Sequence, residues 1–412
     1  MSISVDGGRL HDELARLATF SEDPPPAVTR VIFSDADHRA RAYVKGLCNE
    51  AGFTVREDAV GNTFATWTGT DAQLPPVATG SHIDAIPHAG RYDGTVGVLG
   101  GLEAMRALAR SGYRPRRSLE LIVFTAEEPT RFGIGCLGSR VLSGALDDTA
   151  GTRLVAQDGR TLDEWRGGAG FSGPLSSVRV REGAYHAFLE LHIEQGPLLE
   201  RRGHDIGIVT AIAAPASLRI VIEGEGGHAG ALLMKDRHDA FLAAAEIALA
   251  VEAAARSTGS DDTVGTVGVC DVFPGAVNSV PSRTRLEVDV RDIDLARRDA
   301  VLERVRQACD DIAGRRGVRV RLESINADVP ARCAPDIMDV CARACDERGL
   351  RYERMISRAY HDALFMARVA PAGMLFIPCR NGVSHRPDEY ASPEAIERGT
   401  AVLAGALAHL SS

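Results

Sequence analysis

Strand and helix patterns alternate along most of the chain and predict an α/β fold, with a mixed, largely parallel sheet, helices on both its sides and an interruption of different pattern. Three observations carry that prediction. Apolar runs at 74–78 and 119–125 lead directly to His82 and Glu127, as strands do at the edge where open sheets place their sites. Leu99, Leu102, Met105 and Ala109 fall on one stripe between those runs, the period of a helix over 96–110. From 217 to about 325 the pattern becomes self-contained.

Taken in order, residues to about 52 read as helical, with Leu10, Leu14, Leu17 and Phe20 at near-helical spacing and a break at Pro24-Pro25-Pro26. Strands follow at 118–125 and 187–193, and the pattern changes at Ala213-Ala214-Pro215-Ala216. The middle segment then offers a strand at 218–222, an alanine-rich helix at 239–255, strands at 263–269 and 285–292, a helix at 296–313 and a strand at 318–323. That order, βαββαβ, is ferredoxin-like and leaves an open sheet edge. Helices at 335–348 and 361–368, a strand at 373–378 and a last helix opened by Ser392-Pro393-Glu394 resume the first pattern; serine as N-cap with proline behind it marks that start. The expected organisation is a discontinuous domain of 1–213 and 328–412 with an inserted domain of 214–327.

Composition narrows the function. The 412 residues carry a net charge of −9 without a basic stripe, which argues against nucleic acid as a partner. The start, Met1-Ser2-Ile3-Ser4-Val5-Asp6, lacks a basic segment followed by an apolar one, and no apolar run approaches a membrane span, so a cytoplasmic protein without a membrane partner is expected. Eight cysteines form no CxxC pair and read as buried free thiols.

The chemistry lies in Gly80-Ser81-His82-Ile83-Asp84, in Asp93 within a glycine-rich turn, and in the pair Glu127-Glu128. Carboxylates left unpaired at the edge of a core cost several kcal/mol, and a bound cation removes that cost. Two divalent ions about 3.5 Å apart need a carboxylate that reaches both, the expected role of Asp93. His82 would serve the first ion; Asp84 would fix its tautomer, or be an ordinary turn residue. Of the two glutamates, Glu127 is expected as the general base and Glu128 as a ligand of the second ion, because a metal-bound carboxylate loses basicity. His192 and His385 can complete the two shells.

Eight ordered motifs now become specific: GSHIDAIPHAGRYDG (80–94), FTAEEPTRFGIGCLGSR (124–140), LELHIEQGP (189–197), GGHAGALL (226–233), PGAVNSVPS (274–282), DVRDID (289–294), AYHDALFMAR (359–368) and GVSHRPDEY (382–390). Together they resemble the M20 metallopeptidase clan, in its amidohydrolase branch of N-carbamoyl-L-amino acid, allantoate and ureidoglycolate amidohydrolases. The resemblance implies a zinc-exopeptidase-like catalytic domain with an inserted lid and dimerisation domain. It implies ligand sets of His82, Asp93, His192 and of Asp93, Glu128, His385, holding two divalent ions per subunit, Mn2+ favoured and Zn2+ also compatible. It further implies His228 as an oxyanion donor reaching in from the partner of a homodimer, and Gln195, Asn278, Arg291, Tyr360 and His361, beside Asp362, as contacts to a small ureido-carboxylate substrate. Read without the family, His228 is a turn residue, Arg291 pairs with Asp289 or Asp292, and Tyr360 is packing. The sequences around Ile83 to Pro87, Glu128 to Phe132 and Ser357 to Asp362 resemble the ureidoglycolate enzymes, pointing to hydrolysis of (S)-ureidoglycolate to glyoxylate, ammonia and carbon dioxide. N-carbamoyl-L-amino acids and allantoate are the alternatives, and a non-catalytic binding protein on the same fold is a remote one. His88, where that subgroup usually has tyrosine, is left without a role.

Overall fold

A computed structural model describes residues 3–412, which divide into two compact units. The first comprises the chain through Thr210 with Arg332–Ser357 and His361–Ser412; the second is Ala211–Ala331 with Arg358–Tyr360. The short segment that carries Tyr360 therefore belongs with the insert, not with the residues around it in sequence.

Among the described residues, the first unit is built on a nine-stranded mixed sheet. At its centre Val77–His82 runs parallel to both Leu119–Phe124 and Ala187–Ile193, and Ala372–Ile377 runs parallel to the latter. Each of these central strands is buried along its whole length, which is why each reads as a continuous apolar or small-residue run rather than an alternating one. The first of them starts at Val77, not at residue 74, because Pro75 and Pro76 have no N–H to give to the ladder; the Val77 N–H donates to the Ser118 carbonyl at 2.9 Å.

The outer members were not legible as strands. Thr54–Glu57 and Thr63–Trp67 form a hairpin on one side, while Ile206–Ile212 and Tyr352–Ser357 lie on the other. The helix Thr95–Arg110 packs between Val77–His82 and the closing helix Pro393–Leu410, so nearly all its faces are buried. Ser392 caps that last helix through the Ala395 N–H, as its sequence predicts.

The second unit has the predicted βαββαβ order: Ala214–Glu223, helix Ala240–Arg256, Val264–Phe273, Arg283–Asp292, helix Leu295–Arg316 and Arg319–Ala327. Its antiparallel sheet places Arg283–Asp292 and Ala214–Glu223 inside, with Val264–Phe273 and Arg319–Ala327 at the edges. Ile220, Ile222, Leu286 and Val288 pack on Ile247, Val251, Val301 and Val305 of the two helices, so the opposite sheet face keeps its charged residues. A two-stranded ribbon, Gly227–His228 with Ser279–Val280, was not anticipated. All eight cysteines are free thiols; Cys270, on the edge strand, is exposed, which corrects the expectation that all are buried.

Candidate active site

His82 ends a central strand, and its imidazole is buried. The ring Nδ1 lies 3.1 Å from the Asp84 carbonyl oxygen and 3.5 Å from Asp84 Oδ1. Both are acceptors, so Nδ1 carries the proton and Nε2 presents a lone pair. That Nε2 has no hydrogen-bond partner and faces Asp93 Oδ1 at 3.5 Å and Glu127 Oε2 at 3.7 Å. His192, on the neighbouring strand, repeats the arrangement: its Nδ1 is 2.9 Å from the Ile193 carbonyl and its Nε2 is 3.2 Å from Asp93 Oδ1, where it also accepts the Gly94 N–H at 3.1 Å.

Lone pairs aimed at carboxylate oxygens repel unless a proton or a metal cation lies between them. Burial alone would push the His82 imidazole down, yet Glu127, Asp84 and Asp93 overcome it and hold the ring well above its ordinary range. The second side of Asp93 is similar: His385 Nε2 stands 3.3 Å from Asp93 Oδ2 and 3.2 Å from Glu128 Oε1, and these two carboxylates raise the His385 imidazole to about 11. The cluster thus demands positive charge on both sides of one carboxylate. Ligand atoms of His82, Asp93 and His192, and those of Asp93, Glu128 and His385, lie within 4.8 Å of one another in each set. Nitrogen and oxygen donors without a thiolate suit Mn2+ or Zn2+, so the residues fit a pair of divalent ions sharing Asp93.

Glu127 stands just beyond the Leu119–Phe124 strand and is buried. Burial raises its carboxyl well above the usual range, reinforced by Glu128, Asp362 and Asp93 against the pull of His82. Asp84 reaches farther than its predicted role: its Oδ1 and Oδ2 accept the backbone N–H groups of Glu127 (3.2 Å) and Glu128 (3.0 Å). It therefore fixes the acidic turn against the His82 turn, while the His82 tautomer is set first by its main-chain carbonyl. Gly94, with φ +65°, follows Asp93 so closely under His82 that a Cβ there would fall 2.4 Å from the ring.

Gln195 Nε2 donates to Asp93 Oδ2 at 2.6 Å, while its Oε1 has no hydrogen-bond partner. His361 precedes the helix Asp362–Met366, with its ring 4.5 Å from that of His192 and its Nε2 3.1 Å from Ser357 Oγ. Asp362 accepts from Ser139 Oγ at 2.5 Å. The first unit thus brings together His82, Asp84, Asp93, Glu127, Glu128, His192, Gln195, His361 and His385. The other four residues lie in the second unit. His228 lies in the ribbon and Asn278 just before its second strand, and the Gly230 N–H donates to His228 Nδ1 at 3.1 Å, which puts the ring proton on Nε2 as a donor. Arg291 takes the alternative its sequence left open, a two-point ion pair with Asp289 at 2.8 and 3.1 Å, and its guanidinium stands 5.6 Å from the Tyr360 ring centre.

Several site residues escaped the sequence reading. Glu190 is buried beneath the histidines, accepting from Ser81 Oγ (2.7 Å) and the Ala363 N–H (2.9 Å); an acid within a buried strand was its available signal. Cys136 Sγ lies 3.6 Å from Glu127 Oε1. Ser384 Oγ lies 2.5 Å from Asp93 Oδ2 and 2.9 Å from Glu389 Oε2, and burial together with Asp93 pushes the Glu389 carboxyl up to about 7.

Comparison with known proteins agrees with this geometry. Peptidase family M20/M25/M40 matches residues 78–409. The ureidoglycolate hydrolase of Arabidopsis thaliana is 53% identical over 100% of this chain and 88% of its own length. The crystal structure of AtUAH in complex with (S)-hydroxyglycine superposes with a TM-score of 0.93 at 53% identity, covering 100% of this chain and 99% of that one. The structure of an amidase of the hydantoinase/carbamoylase family from Burkholderia vietnamiensis has a TM-score of 0.91 at 35% identity, covering 100% and 98%. With paired ligand sets at the strand ends and a family match over most of its length, the chain belongs to peptidase family M20/M25/M40.

Proposed function

We propose that this hydrolase cleaves the ureido group of (S)-ureidoglycolate, yielding glyoxylate, ammonia and carbon dioxide with the consumption of one water. The observation that carries the reading is the pair of ligand sets sharing Asp93 with a buried, unligated Glu127 beside them; the likeness to ureidoglycolate hydrolase supports the substrate. His82, Asp93 and His192 would hold one divalent ion and Asp93, Glu128 and His385 the other, Mn2+ favoured, supplying a lowered water pKa and a polarised carbonyl. Glu127 accepts the proton of the attacking water and returns it to the departing nitrogen; its raised affinity for a proton suits both steps. Release of a first ammonia and loss of carbon dioxide leave hydroxyglycine, which sheds its amine as a second ammonia to give glyoxylate.

His228 Nε2–H serves the developing oxyanion, and we assign it to act across a homodimer formed through the insert. The edge strand Val264–Phe273 and the exposed Phe241, Leu242 and Leu249 of the neighbouring helix support that dimer, offering an unpaired ladder and an apolar strip to a second copy. Arg291, Asn278 and Gln195 are the contacts to the substrate carboxylate and ureido group, with Tyr360 and His361 bounding its space. We place the reaction in the cytoplasm; no helix among the described residues is long and apolar enough to cross a membrane.

The test is kcat/KM for ureidoglycolate, allantoate and N-carbamoyl-L-amino acids, read as ammonia release before and after chelation and reloading. Preference for ureidoglycolate and metal-dependent turnover are expected. Preference for a carbamoyl amino acid would overturn the substrate, and full activity after exhaustive chelation would overturn the metal chemistry.

A further inference from the structure

We infer that Glu389 is a positioning residue that sets the affinity of the second ion position, the one bounded by Asp93, Glu128 and His385. The inference rests on the two-ion reading above. Glu389 is buried on the loop that carries His385, and its Oε1 accepts the backbone N–H groups of Tyr92 at 2.7 Å and Asp93 at 3.1 Å. Its other oxygen meets Ser384 Oγ at 2.9 Å, and that hydroxyl lies 2.5 Å from Asp93 Oδ2. One side chain thereby fixes both the main chain and one carboxylate oxygen of Asp93 from a point 296 residues away in sequence. The Asp93 loop is shaped to receive it, since a Cβ on Gly90 would fall 2.3 Å from Glu389 Cβ.

The two ion positions depend on this clamp unequally. His82 and His192 stand at strand ends, with Nδ1 held by the main-chain carbonyls of Asp84 and Ile193. They face Asp93 Oδ1, the oxygen Ser384 does not touch. His385 lies outside any strand, with φ +59° and a side chain 45% exposed, and faces Oδ2. Loosening Glu389 therefore frees the His385 loop and leaves Oδ2 only its bond from Gln195 Nε2, while the first position keeps its rigid support.

The experiment is a stepwise titration of chelated full-length protein with Mn2+ alone, followed by calorimetry. Wild type should take up two ions. In Glu389→Ala the second dissociation constant should rise about 10- to 100-fold while the first stays within about threefold, the scale on which residues behind metal ligands act. Ser384→Ala, a smaller change that spares the fold, should move the second constant in the same direction by less. Glu389→Gln keeps a carbonyl oxygen for the two N–H groups and should restore most of the loss. Equal weakening of both ions in Glu389→Ala, or an unchanged second constant in Ser384→Ala, would overturn the assignment of Glu389 while leaving the two-ion reading standing. Uptake of fewer than two ions by wild type would overturn that reading itself, whatever the variants do.

Discussion

Replacing Glu127 by glutamine separates chemistry from architecture at this site. The amide is isosteric, and the main-chain bond that seats the residue, Glu127 N–H to Asp84 Oδ1 at 3.2 Å, is untouched. What disappears is the basic oxygen that stands 3.7 Å from His82 Nε2. The neighbouring acids are placed otherwise: Glu128 faces His385 at 3.2 Å, and Asp362 Oδ1 accepts from Ser139 Oγ at 2.5 Å, with Oδ2 left without a hydrogen-bond partner. Loss of a general base without a substitute should therefore fall at the upper end of the usual range, about 10^3- to 10^4-fold in turnover, or about 4–5.5 kcal/mol in the barrier. Metal content should not fall, because Glu127 belongs to neither ligand set.

The same substitution should act in the opposite direction on the metal-free protein. Burial and three nearby carboxylates raise the Glu127 carboxyl well above its ordinary value, so in the fold its ionised form is penalised. A carboxyl with a raised folded pKa favours the native state at low pH, and that advantage is lost as pH rises from the unfolded value, about 4.3, through the folded one. Glutamine carries no such penalty, so the melting temperature of the metal-free variant relative to wild type should rise between pH 5 and pH 8. Ammonia release, metal analysis and thermal unfolding read the three effects. Turnover within threefold of wild type would refute the base assignment, and a variant that loses its metal would show that Glu127 is a ligand.

Other expectations follow from individual contacts. Gly94→Ala adds a Cβ 2.4 Å from the His82 ring at φ +65°, so beyond about 1–2 kcal/mol of backbone strain it should displace His82 and weaken the first ion selectively, measured by metal titration. In the insert, buried Asp292 accepts from Thr263 Oγ1 at 2.5 Å and Arg297 Nε at 2.7 Å; Asp292→Asn should cost about 2–4 kcal/mol, read by denaturant unfolding. Burial would raise the Asp292 carboxyl, but Arg297 and Thr263 hold it below its ordinary value, so its contribution is present above about pH 4 and fades as pH falls through the folded value; the gap between wild type and variant should close on acidification.

What the sequence displays and what it hides follow from how each feature is encoded. The central strands are legible because burial on both faces demands uninterrupted apolar runs, and the insert because its helices and strands carry their own periodicities. Thr54–Glu57 is short, polar and largely exposed, and Tyr352–Ser357 alternates with charged residues, so neither differs from a loop until its partner is known. The ligand-bearing residues announce themselves because acids and histidines next to buried strands need an explanation. Ser384 and Glu389 do not: a serine and a glutamate in a loop look solvated, and only the fold reveals that Glu389 is buried against Asp93. Gln195 and Arg291 suit a substrate by type, and only the fold reveals the partners they already hold, Asp93 and Asp289.

Backbone strain shows where the fold yields to the site. Among the described residues, seven other than glycine have positive φ, and four of them, Ala126, Cys136, Gln195 and His385, lie in or beside the ion-binding cluster. Each left-handed residue costs about 1 kcal/mol or more, a cost that persists only where surrounding contacts overdetermine the conformation. Ala126 lies between the strand end and Glu127, and the Leu137 N–H donates to its carbonyl at 2.9 Å while the Cys136 N–H donates to that of Glu127 at 2.8 Å. The two strained residues are thus braced against each other, and the turn they form aims Glu127 toward His82 rather than along the strand direction. A glycine at 126 would relieve the φ cost but also release the turn, so the strain is better understood as the means by which a strand end is redirected into a site.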